Sequence, residues 1–297
     1  MFTKVLVGVN GEQGGRDAIA LAKQLAHPDA NIALAHVYGA GLMPGAGAAL
    51  LLAAEREEAE RLLERERRAA APRAQVITCA DHSIGRGLHL VAEAKGFDLI
   101  VIGASRHGFF GRVLIGNDAI ATVNDAPCPV AIAPYGYALN PRPLSRLGVG
   151  FDGTSEARQA LAAARHIAAR DGSTIQAVLV LPLQSRPYGG PGRHRWADIA
   201  EQVPEDDRHR FDDLRDIDAE VRYGNPDEEL ERFSETLDLL IVGSGKYGPV
   251  RRILHDRVSR DLVRHSACPL LVLVGRAAEA TAADDRDRAR ASTAVRG

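Results

Sequence analysis

The sequence predicts an α/β chain made of two doubly wound domains, each an open five-stranded parallel sheet with helices on both faces. Three observations carry this. The length of 297 residues matches two domains of ordinary size. The chain repeats itself: "GASRHGFFGRVLIGND" (103–118) aligns without a gap with "GSGKYGPVRRILHDRV" (243–258). Short apolar runs alternate with amphipathic segments, the signature of parallel strands joined by crossover helices. The repeat extends further, with "FDLIVIG" (97–103) matching "LDLLIVG" (237–243) and "APCPVAIAP" (126–134) matching "SACPLLVLV" (266–274). "VLVGVNG" (5–11) likewise matches "LGVGFDG" (147–153). A period of this size is a domain, too long for a solenoid unit.

In the first repeat, "KVLVGVN" is a continuous apolar run, as a strand buried on both faces requires. Residues 14–26 space their apolar side chains as a helix does, and "NIALAHVY" (31–38) is a second strand. A Gly/Ala/Pro loop follows at 39–49. Residues 50–71 are strong helix formers with Glu-to-Arg pairs four apart, such as Glu57 with Arg61. Both signs alternate there, so the run reads as a solvated helix face. Residues 74–80 form a third strand, 84–96 a helix, 98–104 a fourth strand, 112–125 a helix and 129–134 a fifth strand. The second repeat keeps this order. Its connection at 182–204 is longer and more polar, and "NPDEELERFSE" (225–235) opens with helix-start chemistry. These readings place the domains at 1–136 and 145–275, joined by the Pro- and Gly-bearing link 135–144. The tail 276–297 lacks apolar periodicity and is expected to be disordered.

Composition narrows the function. A net charge of −2 gives no broad attraction to nucleic acid or anionic membrane. No apolar run approaches the roughly 20 residues that span a bilayer, and "MFTKVLVGVNG" enters a strand at once, so no signal peptide is expected. Cys128 and Cys268 occupy matching positions before a proline and read as small buried hydrophobes. The expectation is a cytoplasmic protein in a reducing compartment.

A glycine-bearing turn after a buried strand, opening onto a helix, suits a phosphate, because backbone N–H groups approach closely there. "VIGASRHG" and "IGND" offer such turns. A P-loop is excluded: "GSGKY" resembles its end, but Leu240 stands where the first Gly belongs and Tyr247 replaces Ser/Thr. "GVNGEQGG" does not have the G-x-G-x-x-G spacing of a dinucleotide turn.

Taken together, "VGVNGEQGGRDAI", "VGFDGTSEARQAL", "HSIGRGLHLVAEAKGFDLIVIG", "YGNPDEELERFSETLDLLIVGS", "APCPVAIAP" and "SACPLLVLV" resemble the universal stress protein family, in tandem, from residue 3 to about 275. The resemblance implies a Rossmann-like strand order of 3-2-1-4-5. It also implies pairing of the two domains across 129–134 and 269–274. Nucleotide-binding members carry an Asp at the end of the first strand, facing adenine, and G-x2-G-x9-G-[ST] around the phosphates and ribose. In the first repeat the Asp position is Asn10, Gly103 and Gly116 are kept, and Arg106 and Asn117 replace the second Gly and the Ser/Thr. Val9, Val37 and Gly108 complete the implied site. In the second repeat Asp152 and Gly243 are kept, Lys246 replaces the second Gly, and Asp256-Arg257 replaces the final pair. Gly153, Val180 and Gly248 complete that degenerate copy.

Asn10 still offers a donor and an acceptor, and Asn117 can donate to a phosphate oxygen. Arg106 adds bulk but also a guanidinium. Asp256 adds bulk and negative charge, both of which oppose phosphate. The implied reading is a stress-response protein that binds ATP or AMP, with Mg2+ as its companion, in domain 1 and acts on protein partners through the 182–204 or 39–49 loop. A homodimer of such two-domain units is a further implied partner. The alternatives are a nucleotide-independent scaffold and a slow ATPase. No catalytic residue is singled out, because no nucleophile with a base and no G-x-S-x-G elbow is found.

Other features have plainer readings. His82, His89 and His107 lack the spacing of a metal site and read as surface or capping residues. His36 reads as a satisfied, half-buried strand residue. "RHRW" (193–196) reads as a solvated loop rather than an RNA contact. Asp152 has an alternative reading as a cap of the turn that follows it.

Overall fold

β1 (Phe2–Gly8) lies between two parallel neighbours, β2 (Ala26–Tyr38) and β4 (Leu99–Gly103). Its Val5, Leu6 and Val7 have no exposed surface, which is why this stretch of sequence is apolar without alternation. A computed structural model provides these coordinates and describes residues 2–39, 48–104, 121–181, 193–196, 209–243, 262 and 265–274. β3 (Gln75–Ala80) flanks β2, and β5 (Val130–Ala133) flanks β4. The first half therefore has the order β3-β2-β1-β4-β5. α1 (Gln13–Leu25), α2 (Ala48–Ala70) and α3 (Ile84–Lys95) connect it. β2 starts five residues earlier than its apolar run, because Ala26 pairs with Phe2 ahead of a register shift.

The second half repeats the plan with β6 (Arg146–Gly150), β7 (Thr174–Leu181), β9 (Asp218–Tyr223), β10 (Leu239–Gly243) and β11 (Leu270–Leu273). α4 (Ser155–Asp171) and α5 (Pro226–Ser234) are the counterparts of α1 and α3. Asn225 caps α5 by accepting the Asp227 N–H at 3.3 Å, ahead of Pro226, as the sequence predicts. β5 and β11 pair antiparallel, with Leu271 opposite Ala131, so the two halves form one eleven-stranded sheet. This is the pairing implied by the family resemblance.

One segment departs from the sequence reading. "RHRW" is not a solvated loop. Arg193–Arg195 form β8, an antiparallel strand added to the outer edge of β9, so this half has a sixth strand. Trp196 is buried, with its ring 4.9 Å from that of Phe211. A basic cluster looks solvated in sequence, but here the strand ladder and the aromatic that follows it decide its place.

Between the halves, the fully buried Asp17 of α1 holds the link. Its carboxylate accepts the Gly136 N–H at 2.8 Å, the Ala138 N–H at 2.7 Å and the Gln13 side-chain amide at 2.9 Å. Arg170 of α4 donates to the carbonyls of Gln24 at 2.6 Å and Ala26 at 3.1 Å, closing the C-terminal end of α1.

Candidate functional site

In a doubly wound sheet the ends of β1 and β4 diverge onto opposite faces and leave a crevice beyond their carboxyl ends. A cavity of about 150 Å3 lies there in the first half. Val9, Asn10, Val37 and Gly103, four of the residues singled out from sequence, line it together. Arg106, His107, Gly108, Gly116 and Asn117 lie outside the described residues, as do Lys246 and Gly248. The cavity lining also includes Glu12, Gly14, Gly15, His36, Leu88 and Tyr135.

Local chemistry places these residues. Asn10 Oδ1 accepts the Glu12 N–H at 3.1 Å, which folds the chain tightly through Gly11 at φ 77° and delivers it to α1. His36 is half-buried, and its Nδ1 lies 2.7 Å from the Val9 carbonyl, so the satisfied strand role predicted for it holds. His82 is exposed, and His89 Nε2 lies 2.7 Å from the Thr122 carbonyl, consistent with surface and capping roles.

Glycines let the elements around the cavity approach closely. A Cβ on Gly14 would sit 2.6 Å from the Ala104 carbonyl oxygen, and one on Gly87 would sit 2.7 Å from Val37. The first turn of α1 thus lies backbone-to-backbone against the end of β4. The N-cap residue Glu12 makes no side-chain cap bond, and no acidic residue lies in the first turn. The positive end of that helix, with its first-turn N–H groups, meets the crevice.

The second half is built differently at each of these points. Gly8 pairs with Ala35 and Gly150 with Val178, so Val180 is the register equivalent of Val37. Asp152 Oδ1 accepts both the N–H of Thr154 at 3.0 Å and its hydroxyl at 2.6 Å, so the turn-capping reading of Asp152 is met. Gly153 repeats the positive φ of Gly11, at 76°. Thr154 in turn caps α4 by accepting the Ala157 N–H at 3.2 Å. At the position of Gly14 stands Glu156, a buried acid in the first helical turn. A Cβ on Gly243 would lie 2.5 Å from its Cβ. Next to Val180, Arg222 is buried. It donates to Glu220 at 2.6 Å and to the Glu229 carbonyl at 3.0 Å, and its guanidinium lies 5.0 Å from the Phe233 ring centre. Glu229 occupies the place of Gly87 when the two helix caps, Ser83 and Asn225, are aligned.

Sequence reasoning missed Gly14, Gly87, Tyr135, Glu156 and Arg222. The signal for Glu156 was present, since the gapless match of 9–16 with 151–158 sets it opposite Gly14. The role of Arg222 depends on register between distant strands and had no local signal.

The model of the universal stress protein family matches this chain twice, over residues 1–134 and 144–274. A universal stress protein of Mycobacterium bovis is 29% identical over 207 residues, covering 66% of this chain and 70% of that protein. A second, from Mycobacterium tuberculosis, is 26% identical over 182 residues, covering 59% and 61%. Among solved structures, a universal stress protein from Archaeoglobus fulgidus superposes with a TM-score of 0.62 at 16% identity, covering 91% of this chain and 96% of that one. One from Pseudomonas aeruginosa gives 0.60 at 16% identity, covering 94% and 96%. Among the described residues, no helix is long and apolar enough to cross a membrane.

Proposed function

The chain belongs to the universal stress protein family, and on that premise we propose that its first domain binds an adenine nucleotide, ATP or AMP, while its second domain serves as a structural partner. The observation that carries this reading is the contrast between the two equivalent helix starts. α1 presents Gly14, Gly15 and an uncapped first turn to a cavity. α4 presents a capped turn and the buried Glu156. Free N–H groups favour an anion, whereas a buried carboxylate opposes one. The described cavity is of the size of a base rather than a whole nucleotide. In this reading Val9, Asn10 and Val37 hold adenine. Gly103, Arg106, Gly108, Gly116 and Asn117 hold the ribose and phosphates with their Mg2+. The protein acts as a regulator through its partners rather than as a catalyst.

The test is a thermal-shift titration with ATP, AMP and a GTP control on the full chain, Gly14→Glu and Gly116→Asp. Each substitution gives the first repeat the residue of the second. Ligand at 100 times its dissociation constant stabilises by about 2.7 kcal/mol. The expected result is a shift with ATP or AMP that both variants lose while their unliganded melts remain cooperative. No shift of the full chain at millimolar nucleotide overturns the reading and favours a nucleotide-independent scaffold.

A further inference from the structure

The two outer edges of the eleven-stranded sheet are not alike. In the second half β8 covers β9, with Arg193 opposite Arg222, His194 opposite Val221 and Arg195 opposite Glu220. In the first half the equivalent strand, β3, is the terminal strand, and among the described residues nothing pairs with its outer side. The equivalence is one of register. Val37 pairs with Cys79 as Val180 pairs with Arg222. The positions β8 covers therefore correspond to Ile77, Thr78 and Cys79.

Uncovered edges are normally blunted by charge, proline or a bulge. β3 reads "QVITCA", with no charge, no proline and three consecutive β-branched residues, and Val76 is 43% exposed. The Asp81 N–H points inward to the Tyr38 carbonyl at 3.0 Å. Backbone direction alternates along a strand, so Ile77 and Cys79 also point inward, and the N–H and C=O of Thr78 point outward. Gly224 makes the same inward bond to Leu181 at 3.0 Å, which turns Val221 outward to meet His194.

We propose that β3 is a self-association edge, on which the β3 strand of a second copy of this chain lies antiparallel about Thr78. A two-fold axis at Thr78 sets Ile77 opposite the partner's Cys79, and Thr78 opposite its own copy. These are the three positions that β8 covers in the other repeat. Antiparallel order follows from two-fold symmetry, and an isologous contact must be self-complementary. The uncharged strand meets this condition, because self-apposition places no like charges across the ladder. The chain already joins its own halves by antiparallel edge pairing, at β5 and β11. The proposal is independent of nucleotide binding.

The experiment measures the mass of the full chain by sedimentation across a concentration series, for the wild type, for Thr78→Pro and for Thr78→Cys in a Cys79→Ser background. Proline at 78 removes an outward N–H and leaves the β2–β3 ladder intact. Opposed residues exchanging both hydrogen bonds have Cα atoms about 5.5 Å apart, within disulfide range. The expected result is a concentration-dependent dimer, lost in Thr78→Pro and trapped as a covalent dimer by Thr78→Cys under mild oxidation. A wild type that stays monomeric up to its solubility limit overturns the proposal. So does a dimer that survives Thr78→Pro, or one that Thr78→Cys fails to trap. Protection of the Thr78 amide from hydrogen exchange in a monomer would show that the chain covers its own edge, and would also overturn it.

Discussion

A Cβ placed on Gly103 would stand 1.8 Å from the carbonyl oxygen of Gly14. The end of β4 and the first turn of α1 thus touch backbone to backbone, and the obstructing atom cannot swing aside as a side chain would. Gly103→Ala should therefore push α1 off the sheet and destabilise by the upper part of the roughly 1–3 kcal/mol typical of overpacking. Chemical denaturation measures this. Gly96→Ala is a suitable comparison, because nothing lies within 4 Å of a Cβ at that position and its cost comes only from its φ of 66°.

Asp17 is the second point of leverage. Its buried carboxylate takes two N–H groups from the interdomain link, and the repeat has the uncharged Gln159 in its place. Asp17→Ala leaves the N–H groups of Gly136 and Ala138 without this acceptor. The expected loss is at least about 2 kcal/mol, with faster proteolysis within 135–144. Limited proteolysis with mass spectrometry reads both effects.

The three thiols should separate by environment. Burial pushes Cys128 and Cys268 up to about 12 from an ordinary value of 9.0. Cys79 is half-buried, and it is raised by burial and by nearby Asp81. A disulfide-exchange reagent at pH 8 should therefore modify Cys79 alone in the native protein, more slowly than a free thiol. It should reach Cys128 and Cys268 only on unfolding. The linkage has a definite sign. The folded values lie above the unfolded ones, so the two buried thiols leave stability unchanged below about pH 9. They lower it as pH rises towards about 12, where the unfolded chain ionises first. Cys128→Ala and Cys268→Ala should flatten that alkaline decline in a denaturation series.

Trp196 is the only tryptophan, and it is buried against Phe211, whose ring in turn meets Phe151 at 6.3 Å. Its emission should report unfolding of the second half alone. Trp196→Ala should cost about 3–5 kcal/mol, as large aromatic truncations do. Circular dichroism would follow the loss, and any nucleotide shift of the first half should persist.

The fold, the duplication and part of the cavity lining are legible in the sequence alone. Apolar runs such as 4–10 and 98–104 are legible because a strand buried on both faces admits little else. Helix starts such as Asn225-Pro226 are legible because capping is local chemistry. Asn10, Val37 and Gly103 were found by resemblance and fall on one cavity. Strand register, which no local pattern records, set the buried Arg222 beside Val180 and β8 beside β9. Arg222 settles beside Val180 because of strand register, and it is held by Glu220 and by Glu229 from another element. "RHRW" becomes an edge strand because β9 offers an unpaired ladder and Phe211 offers its ring a place to bury. Such contacts join residues far apart in the chain, and local pattern carries no record of a partner that only folding brings near.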